Sequence, residues 1–571
     1  MKNVLICNRS EIALRAALAC KSLGLKSFVL INDFEVDTLV GESCDKLIKF
    51  NDSINPFMSL EIIEKVIKQY EINFLYPGYG FLSEDPRLAA LCERLGVVFI
   101  GPRSSVLTQL SSKKESFLFA KSCGLKTLEV QNPVASDFPL MLKASYGGGG
   151  RGNLICSDLD YFKEDLKKIK IKSKGLFDND EILFERFLPN ARHVELQIVA
   201  TAKKVYFLST RDCSIQINYQ KFMEEGPSDQ SSCEFIKRFY PQIEKELLNI
   251  GYTGVGTIEF LWSGSDLYFL EMNTRIQVEH PVTELIFDID LVKIQFEIAL
   301  NQLIKYSFVN NGKHAICARL YAVDVENDFA PMPSTIRLAG SDKYIRFDTH
   351  FKDGNHIGHQ YDPLIGKLIV SGENRRDCIA NFKDALAKIK IGTRQNNLNL
   401  ISYIISDKEY LDNDVSVSWV KNSIANSFSN SLNDFSVEEK KAIWSKIRGE
   451  KSHKLMAVGG EVNIDILVDW IDEVIYCFKK KKAYSSCLGL NPPFWKEESE
   501  QSVLNYISPI TGKVTQILCS TGDQVEKGDT LLVLEAMKTE LRVKAHSNGI
   551  VGEILCEEGG LVKRGQELLV I

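Results

Sequence analysis

GTIEFLWSGSDLYFLEMN, residues 256–273, holds two apolar runs separated by the turn-like Ser263-Gly264-Ser265-Asp266. Runs of this length, rich in β-branched and aromatic residues and broken by Gly and Ser, predict two strands of a hairpin. A turn centred near Ser265 sets Glu259 opposite Glu271. Asn273, two residues further on, falls on the same strand face as Glu271. Like charges placed opposite each other in an antiparallel pair destabilise it unless a cation intervenes. Two carboxylates and an amide form an oxygen donor set that suits Mg²⁺, an ion that bridges nucleotide phosphates. The plain alternative is a pair of solvated acids on an edge hairpin.

Upstream, KASYGGGGRGN (143–153) follows the apolar run PLML (139–142). Glycines let backbone N–H groups approach phosphate oxygens, while Lys143 and Arg151 carry the neutralising charge. The segment is not a Walker A loop, because it lacks G-K-[ST], and it is not read as a dinucleotide fingerprint. Taken with the opposed carboxylates, it favours a metal–nucleotide site over a solvated hairpin.

Outward from this centre the pattern changes. The first 100 residues alternate strands and helices: VLIC, a helix from about Ser10 to Leu23 closed by Gly24, SFVLI, a helix near Ser59–Tyr70, INFLY, a helix near Pro86–Leu95, and VVFIG. That rhythm predicts an open parallel sheet with ligand clefts at the carboxyl ends of its strands, where PGYGFLSE (77–84) lies. From about Lys113 to Asn301, and again from His314 to about Ser406, α and β are mixed, the second stretch including the strand PLIGKLIV. Residues 425–450 read as polar helix, 455–480 as weaker strands (VNIDILV, VIYCF), and Asn491–Ser502 as a linker.

The tail contains a repeat. Ser508–Leu534 superposes on Ala545–Ile571 at a constant offset of 37, with eleven identities in 27 gapless positions. Gly522/Gly559, Val514/Val551 and Leu531–Val533/Leu568–Val570 are among them. One such unit is too small to bury its own apolar face, so the repeat predicts two copies folded about a pseudo-twofold axis into a flattened barrel. Only Glu535–Lys544 joins the copies, which places Lys538 on the connector. A lysine displayed there suits a swinging arm, a long prosthetic group attached to the ε-amine.

Composition is that of a soluble globular protein: 571 residues, 44% hydrophobic, 25% charged, net charge −6. That balance gives no reason to expect nucleic acid or an anionic membrane as partner. No apolar run is long enough to span a bilayer. Arg9, Glu11 and Arg15 interrupt the N-terminal apolar region and argue against a signal peptide. The 14 cysteines include no C-x-x-C pair, so neither a zinc site nor a disulfide framework is indicated, and a cytoplasmic location is expected.

The blocks NRSEIALR (8–15), YPGYGFLSED (76–85), KASYGGGGRG (143–152), RHVELQ (192–197), RDCSIQ (211–216) and EMNTRIQVEHPVTE (271–284) resemble, in order, the biotin carboxylase component of biotin-dependent carboxylases. Glu535-Ala536-Met537-Lys538 resembles the biotinylation site of their carrier domains, whereas lipoyl domains usually have Asp before the lysine. The resemblance implies a multidomain α/β and α+β chain, an ATP-grasp biotin carboxylase followed by a small all-β biotinyl/lipoyl-type barrel. The expected domains are 1–112 (N-terminal α/β), 113–310 (ATP-grasp with glycine-rich lid), 311–445 (C-terminal carboxylase domain), 446–502 (linker or reduced partner-docking region) and 503–571 (carrier).

It also implies roles. Lys113, Lys143, Gly149, Gly150, Glu185, Leu188, His193 and Gln216 are expected around ATP, and Glu259, Glu271 and Asn273 around Mg²⁺ or Mn²⁺. Arg275, Gln277, Val278 and Lys221 are expected around bicarbonate, Glu279 as its base, Arg346 at the biotin ureido group, and Lys538 as the biotinyl-lysine. A carboxylate beside Arg275 would be kept ionised and poised as base. Bicarbonate would attack the γ-phosphate to give carboxyphosphate, whose CO₂ the biotin enolate captures. One block departs: where the family usually has R-R-H-Q-K, this chain has Ile217-Asn218-Tyr219-Gln220-Lys221, so Tyr219 replaces an ATP-contacting histidine. Tyr76 likewise stands where histidine is common.

The resemblance further implies a separate carboxyltransferase (β) subunit, with this chain as the α subunit of an acyl-CoA carboxylase, and a biotin protein ligase that modifies it. Acetyl-, propionyl- and 3-methylcrotonyl-CoA remain open as acceptors, with EAMKTE leaning to the last. Alternative readings are a non-catalytic biotin scaffold, a ligase with a lipoylated carrier, or an α subunit serving pyruvate.

Overall fold

The computed structural model describes residues 1–424 outside 52–53, 112, 146–152, 178, 218, 304–305, 310–311, 326–328, 339–344, 359 and 394. It also describes four strands between 455 and 490, and residues 505–571 outside 509–511, 527, 537–538, 546–547 and 563–565. The expected helix at 425–450 and the linker 491–502 lie outside the described residues. Among the described residues no helix is long and apolar enough to cross a membrane.

The open parallel sheet forms as its apolar runs dictate. Its strands lie in the order Lys46–Phe50, Lys26–Asn32, Asn3–Ile6, Phe74–Tyr76, Val98–Phe99, and every pair is parallel. Helices Ser10–Ser22, Leu60–Gln69 and Pro86–Leu95 intervene as predicted. Strand order reverses between Asn3–Ile6 and Phe74–Tyr76, so a ligand crevice belongs at their carboxyl ends.

Two chain segments meet there. Asn8, just past the first strand, donates from Nδ2 to the carbonyls of Pro77 (2.6 Å) and Tyr79 (2.7 Å). Gly78, between those carbonyls, has φ +62°, and a Cβ on it would stand 2.7 Å from Asn8 Nδ2. Gly78→Ala therefore combines left-handed strain with a clash and is expected to destabilise the chain by about 1–3 kcal/mol. A urea titration of the intact chain checks this; an unchanged midpoint would show that the loop relaxes freely.

The larger body is a nine-stranded sheet. Its order is Arg346–Asp348, Leu364–Gly372, His314–Tyr321, Gln220–Gly226, Val205–Ile217, Arg192–Ala200, Gly254–Trp262, Leu267–Asn273, Lys126–Thr127. All neighbours are antiparallel except the last pair. Strands from 314 onward thus extend the same sheet that carries Glu259, and the expected boundary at 310/311 divides the chain without dividing the sheet. A separate three-stranded sheet (Asn153–Cys156, Leu140–Ala144, Ile182–Arg186) packs against helix Phe162–Phe177.

Residues 455–490 contain a four-stranded antiparallel meander, Leu455–Val458, Ile464–Asp469, Val474–Lys480 and Ser485–Leu490. The weaker strands read in the sequence are therefore paired, and a fourth, Ser485–Leu490, was not legible because Ser, Cys and Gly interrupt its apolar alternation.

In the tail, the repeat becomes measured symmetry. The Gly522 amide donates to Val551, and its repeat mate Gly559 donates to Val514, both at 2.7 Å. Leu518 donates to Leu531 at 2.8 Å, and its mate Leu555 to Leu568 at 2.7 Å. Each copy thus closes bonds that the other repeats. Strands Thr530–Ala536 and Thr539–Lys544 pair antiparallel up to Ala536 opposite Thr539, flanking residues 537–538. Lys538 itself lies outside the described residues.

Candidate functional site

The hairpin quoted first is present in its predicted register, with Glu259 opposite Glu271 and Thr257 opposite Asn273. Its turn closes by a 3.0 Å bond from the Ser263 amide to the Asp266 carbonyl. Between the two carboxylates stands the Asn273 amide: Nδ2 donates to Glu259 Oε1 at 2.8 Å and to Glu271 Oε1 at 3.4 Å. Glu259 Oε1 also accepts from Lys221 Nζ (2.9 Å) and Gln277 Nε2 (2.5 Å). Burial alone would raise the Glu259 pKa, but Lys221 and His193 outweigh it and hold the carboxyl well below the usual range. Two opposed carboxylates with an amide beside them, Glu259 held ionised, supply the oxygen donors and negative charge that a small divalent cation takes.

Lys221 is the hub of this cluster. Its ammonium contacts Glu195 (2.6 Å), Glu259 (2.9 Å) and Glu279 (3.0 Å). Burial works against its charge, yet the three carboxylates raise its pKa well above the lysine value. Glu279 is gripped from both sides: Oε1 by Lys221 and Oε2 by Arg319 Nη2, each at 3.0 Å. Burial pushes its carboxyl up, but Lys221, Arg319 and Arg211 outweigh that and hold it far below the normal range. Glu279 and Arg275 also feel each other's charge, so the expected carboxylate kept ionised beside Arg275 is present, with Lys221 and Arg319 as its direct partners. The bonds of Arg275 go instead to Glu84 Oε2 (3.0 Å) and Asn273 Oδ1 (2.9 Å), because the loop after Phe74–Tyr76 brings Glu84 to it.

The neighbouring positions follow. The Val278 carbonyl accepts from Lys367 Nζ at 3.0 Å, and Gln277 Oε1 from Arg211 Nη2 at 3.2 Å. Arg346 donates to Glu284 Oε2 (2.7 Å) and Asp348 (2.8 and 3.0 Å), and Arg15 shares Glu284 with it. Lys143 meets Glu185 across adjacent strands of the small sheet, and Leu188 is half-buried just beyond. Gln216 is buried opposite Lys221, in the hairpin whose turn residue Tyr219 has φ +64° and is 39% exposed. His193, expected at the nucleotide, bonds Glu259 Oε2 through Nε2 at 2.7 Å. Gly149, Gly150 and the Lys113 side chain lie outside what the structure describes.

Four residues that complete the cluster had no role assigned from the sequence: Glu84, Glu195, Arg211 and Arg319. Arg211 is fully buried and meets Glu195, Gln197 and Thr283. A lone charge inside a buried apolar strand, such as Arg319 in HAICARLY or Lys367 in LIGKLIV, was the available signal, because such a charge must be paired. The partner cannot be named from the strand alone.

Comparison with known proteins matches the segments of the chain that carry this site. Family models match residues 1–107 ("Biotin carboxylase, N-terminal domain"), 115–306 ("Carbamoyl-phosphate synthase L chain, ATP binding domain"), 317–422 ("Biotin carboxylase C-terminal domain") and 506–571 ("Biotin-requiring enzyme"). The chain is 34% identical over 430 residues to the biotin carboxylase of Haemophilus influenzae, covering 72% of this chain and 96% of that one. It is 26% identical to the mitochondrial methylcrotonoyl-CoA carboxylase subunit alpha of Mus musculus, covering 96% of this chain and 89% of that protein. Among solved structures, the biotin carboxylase domain dimer of Hydrogenobacter thermophilus 2-oxoglutarate carboxylase, in complex with MgADP, ADP and bicarbonate, matches with a TM-score of 0.69. It is 32% identical, and the match covers 74% of this chain and 97% of that one.

Proposed function

The chain belongs to the biotin carboxylase family, and on that premise we propose that its buried cluster deprotonates bicarbonate while its tail carries biotin on Lys538. ATP-dependent carboxylation of biotin is the activity of a biotin carboxylase domain joined to a biotin carrier domain, and this chain has both. The observation that carries the residue roles is the Glu279 carboxylate clamped between Lys221 and Arg319 beside Glu259.

In this reading Lys221, Arg275 and Gln277 neutralise and orient bicarbonate, with the Val278 backbone completing the pocket. Glu279 takes the bicarbonate proton. Its ionised state is secured by the surrounding cations, so it is ready as base before substrate arrives. Glu259, Glu271 and Asn273 would hold Mg²⁺, which offsets the charge of the phosphates. Lys143, Glu185, Leu188, Gln216 and His193, with the loop bearing Gly149 and Gly150, would surround ATP, and closure of that loop would exclude water. Biotin held on Lys538 would supply the ureido nitrogen that receives the carboxyl group. Arg346, whose guanidinium is held by Glu284 and Asp348, would face that group.

The reading extends to partners. A carboxyltransferase (β) subunit would take the carboxyl group onward, as befits a chain similar to alpha subunits, and a biotin protein ligase would modify Lys538. We keep the five-part division of the chain, with the meander at 455–490 as the docking element for that subunit. The test is bicarbonate-dependent ATP hydrolysis with free biotin as acceptor. Excess EDTA is expected to abolish it and added Mg²⁺ to restore it. Glu259→Gln is expected to raise the Mg²⁺ needed for half-maximal rate at least about tenfold, since one of two anionic ligands is lost. Wild-type protein without such hydrolysis would overturn the catalytic reading and leave a biotin scaffold.

A further inference from the structure

The grip on Glu279 is shared in a way that its role as base does not require. Arg319 Nη2, which donates to Glu279 Oε2 at 3.0 Å, also lies 2.5 Å from Glu224 Oε1. The side chains of Glu224, Glu279 and Arg319 are 0%, 2% and 11% exposed. The second contact is a charge contact without hydrogen-bond geometry: neither oxygen of Glu224, nor Arg319 Nε, has a hydrogen-bond partner. A carboxylate buried without hydrogen bonds is held by one guanidinium alone, and that guanidinium is already engaged.

The sheet register explains the sharing. Glu224 pairs with Cys317 on His314–Tyr321, so Arg319, two residues on, is its diagonal neighbour on the same face. Arg319 in turn faces Lys367 across the next pairing. Lys367 is occupied by Glu11 (2.7 Å) and the Val278 carbonyl (3.0 Å), so it offers Glu224 no charge-neutralising contact. Residues 278 and 279 are thus both held by strands of the C-terminal half of the sheet.

We propose that Arg319 is a positioning residue for Glu279 and that Glu224 divides its charge, so that ionisation of Glu224 makes the base stronger. This rests on Glu279 being the base. With Glu224 protonated, the full charge of Arg319 falls on Glu279 and weakens it as a proton acceptor. With Glu224 ionised, that charge is shared, and Glu279 accepts a proton more readily. The other groups around Glu224 set where it titrates. From its own strand comes Lys221, from His314–Tyr321 on one side come Arg319, Cys317 and Tyr321, and from Val205–Ile217 and Arg192–Ala200 on the other come Cys213 and Glu195. Burial dominates, Arg319 opposes it, and repulsion from Glu279 adds to it, leaving the Glu224 pKa raised to about 7. The sign follows: below that value Glu224 is neutral and the base weak, and as pH rises through it the base strengthens.

The experiment is the pH profile of bicarbonate-dependent ATP hydrolysis in the full chain, with thermal melts confirming that each variant folds. Glu224→Gln is expected to match wild type near pH 6 and to be about threefold to tenfold slower at pH 8, because the neutral amide never draws Arg319 away. Arg319→Met is expected to lower kcat about 10–100-fold and to move the acid limb of the profile upward, with the KM for ATP unchanged. Arg319→Lys, which restores the charge, is expected to return the acid limb towards wild type. A Glu224→Gln profile that overlays wild type, or an Arg319→Met variant that loses stability with an unmoved acid limb, overturns the proposal. Glu279→Gln separates the two claims: if it keeps wild-type activity, the base reading falls. If it is inactive while the other profiles stay unmoved, only the shared-charge proposal falls.

Discussion

Lys538→Ala is expected to remove every streptavidin-reactive band from the chain and to abolish carboxyl delivery to a carboxyltransferase. Hydrolysis of ATP with free biotin should continue. The reason lies in the way the tail is built. Its two copies satisfy each other's backbone groups through equivalent bonds, such as Gly522 to Val551 and Gly559 to Val514. The connecting strands pair through Ala536 opposite Thr539, and the barrel core is closed by Leu531, Leu532, Leu534, Leu568 and Leu569. None of this depends on the side chain at 538, so the substitution removes an attachment point and leaves the scaffold. A tethered group reaches its site at an effective concentration of about millimolar, so its loss cannot be recovered by small additions of free biotin. Lys538→Arg is the sharper control. It keeps the positive charge but forms no biotinyl amide, and should behave like alanine. Streptavidin binding that survives either change would place the biotin on another lysine.

Glu279→Gln is expected to lower kcat for bicarbonate-dependent ATP cleavage by about 10²–10⁴-fold, the usual contribution of a positioned base. At 1.36 kcal/mol per tenfold this corresponds to about 3–5 kcal/mol of barrier. Glutamine keeps the volume of the side chain and can still accept a hydrogen bond, but it takes no proton. Lys221 retains Glu195 and Glu259, and Arg319 retains Glu224, so the cluster stays paired and the fold should survive. Nucleotide affinity, measured by calorimetry with Mg²⁺ and ATP, should hardly move, because the expected ATP contacts lie on strands and a loop, whereas Glu279 caps the helix His280–Phe287. Loss of nucleotide binding in parallel with rate would mean that Glu279 maintains the pocket and is no base.

Glu259 and Glu271 illustrate how far local pattern carries. Two apolar runs and a four-residue turn set their register, and the structure keeps Glu259 opposite Glu271, with a register shift between Glu259 and Phe260. A hairpin is local, so period and turn suffice. The tail repeat was legible for the same reason, and its offset of 37 reappears in the hydrogen bonds. The parallel sheet of the first hundred residues was legible as well, since each helix and strand announces itself over a short window.

Glu279 illustrates where pattern ends. Its block is conspicuous in the chain, but the residue holding its second oxygen, Arg319, lies 40 positions away on a strand of the next domain. Arg275, adjacent in sequence, turns instead to Glu84, 191 positions earlier. The sequence by itself determined most of the elements, the repeat and the family. Only the tertiary structure decided which cation faces which carboxylate, because a buried charge is stabilised by whatever lies within a few ångströms, and that is set by the sheet order and not by distance along the chain.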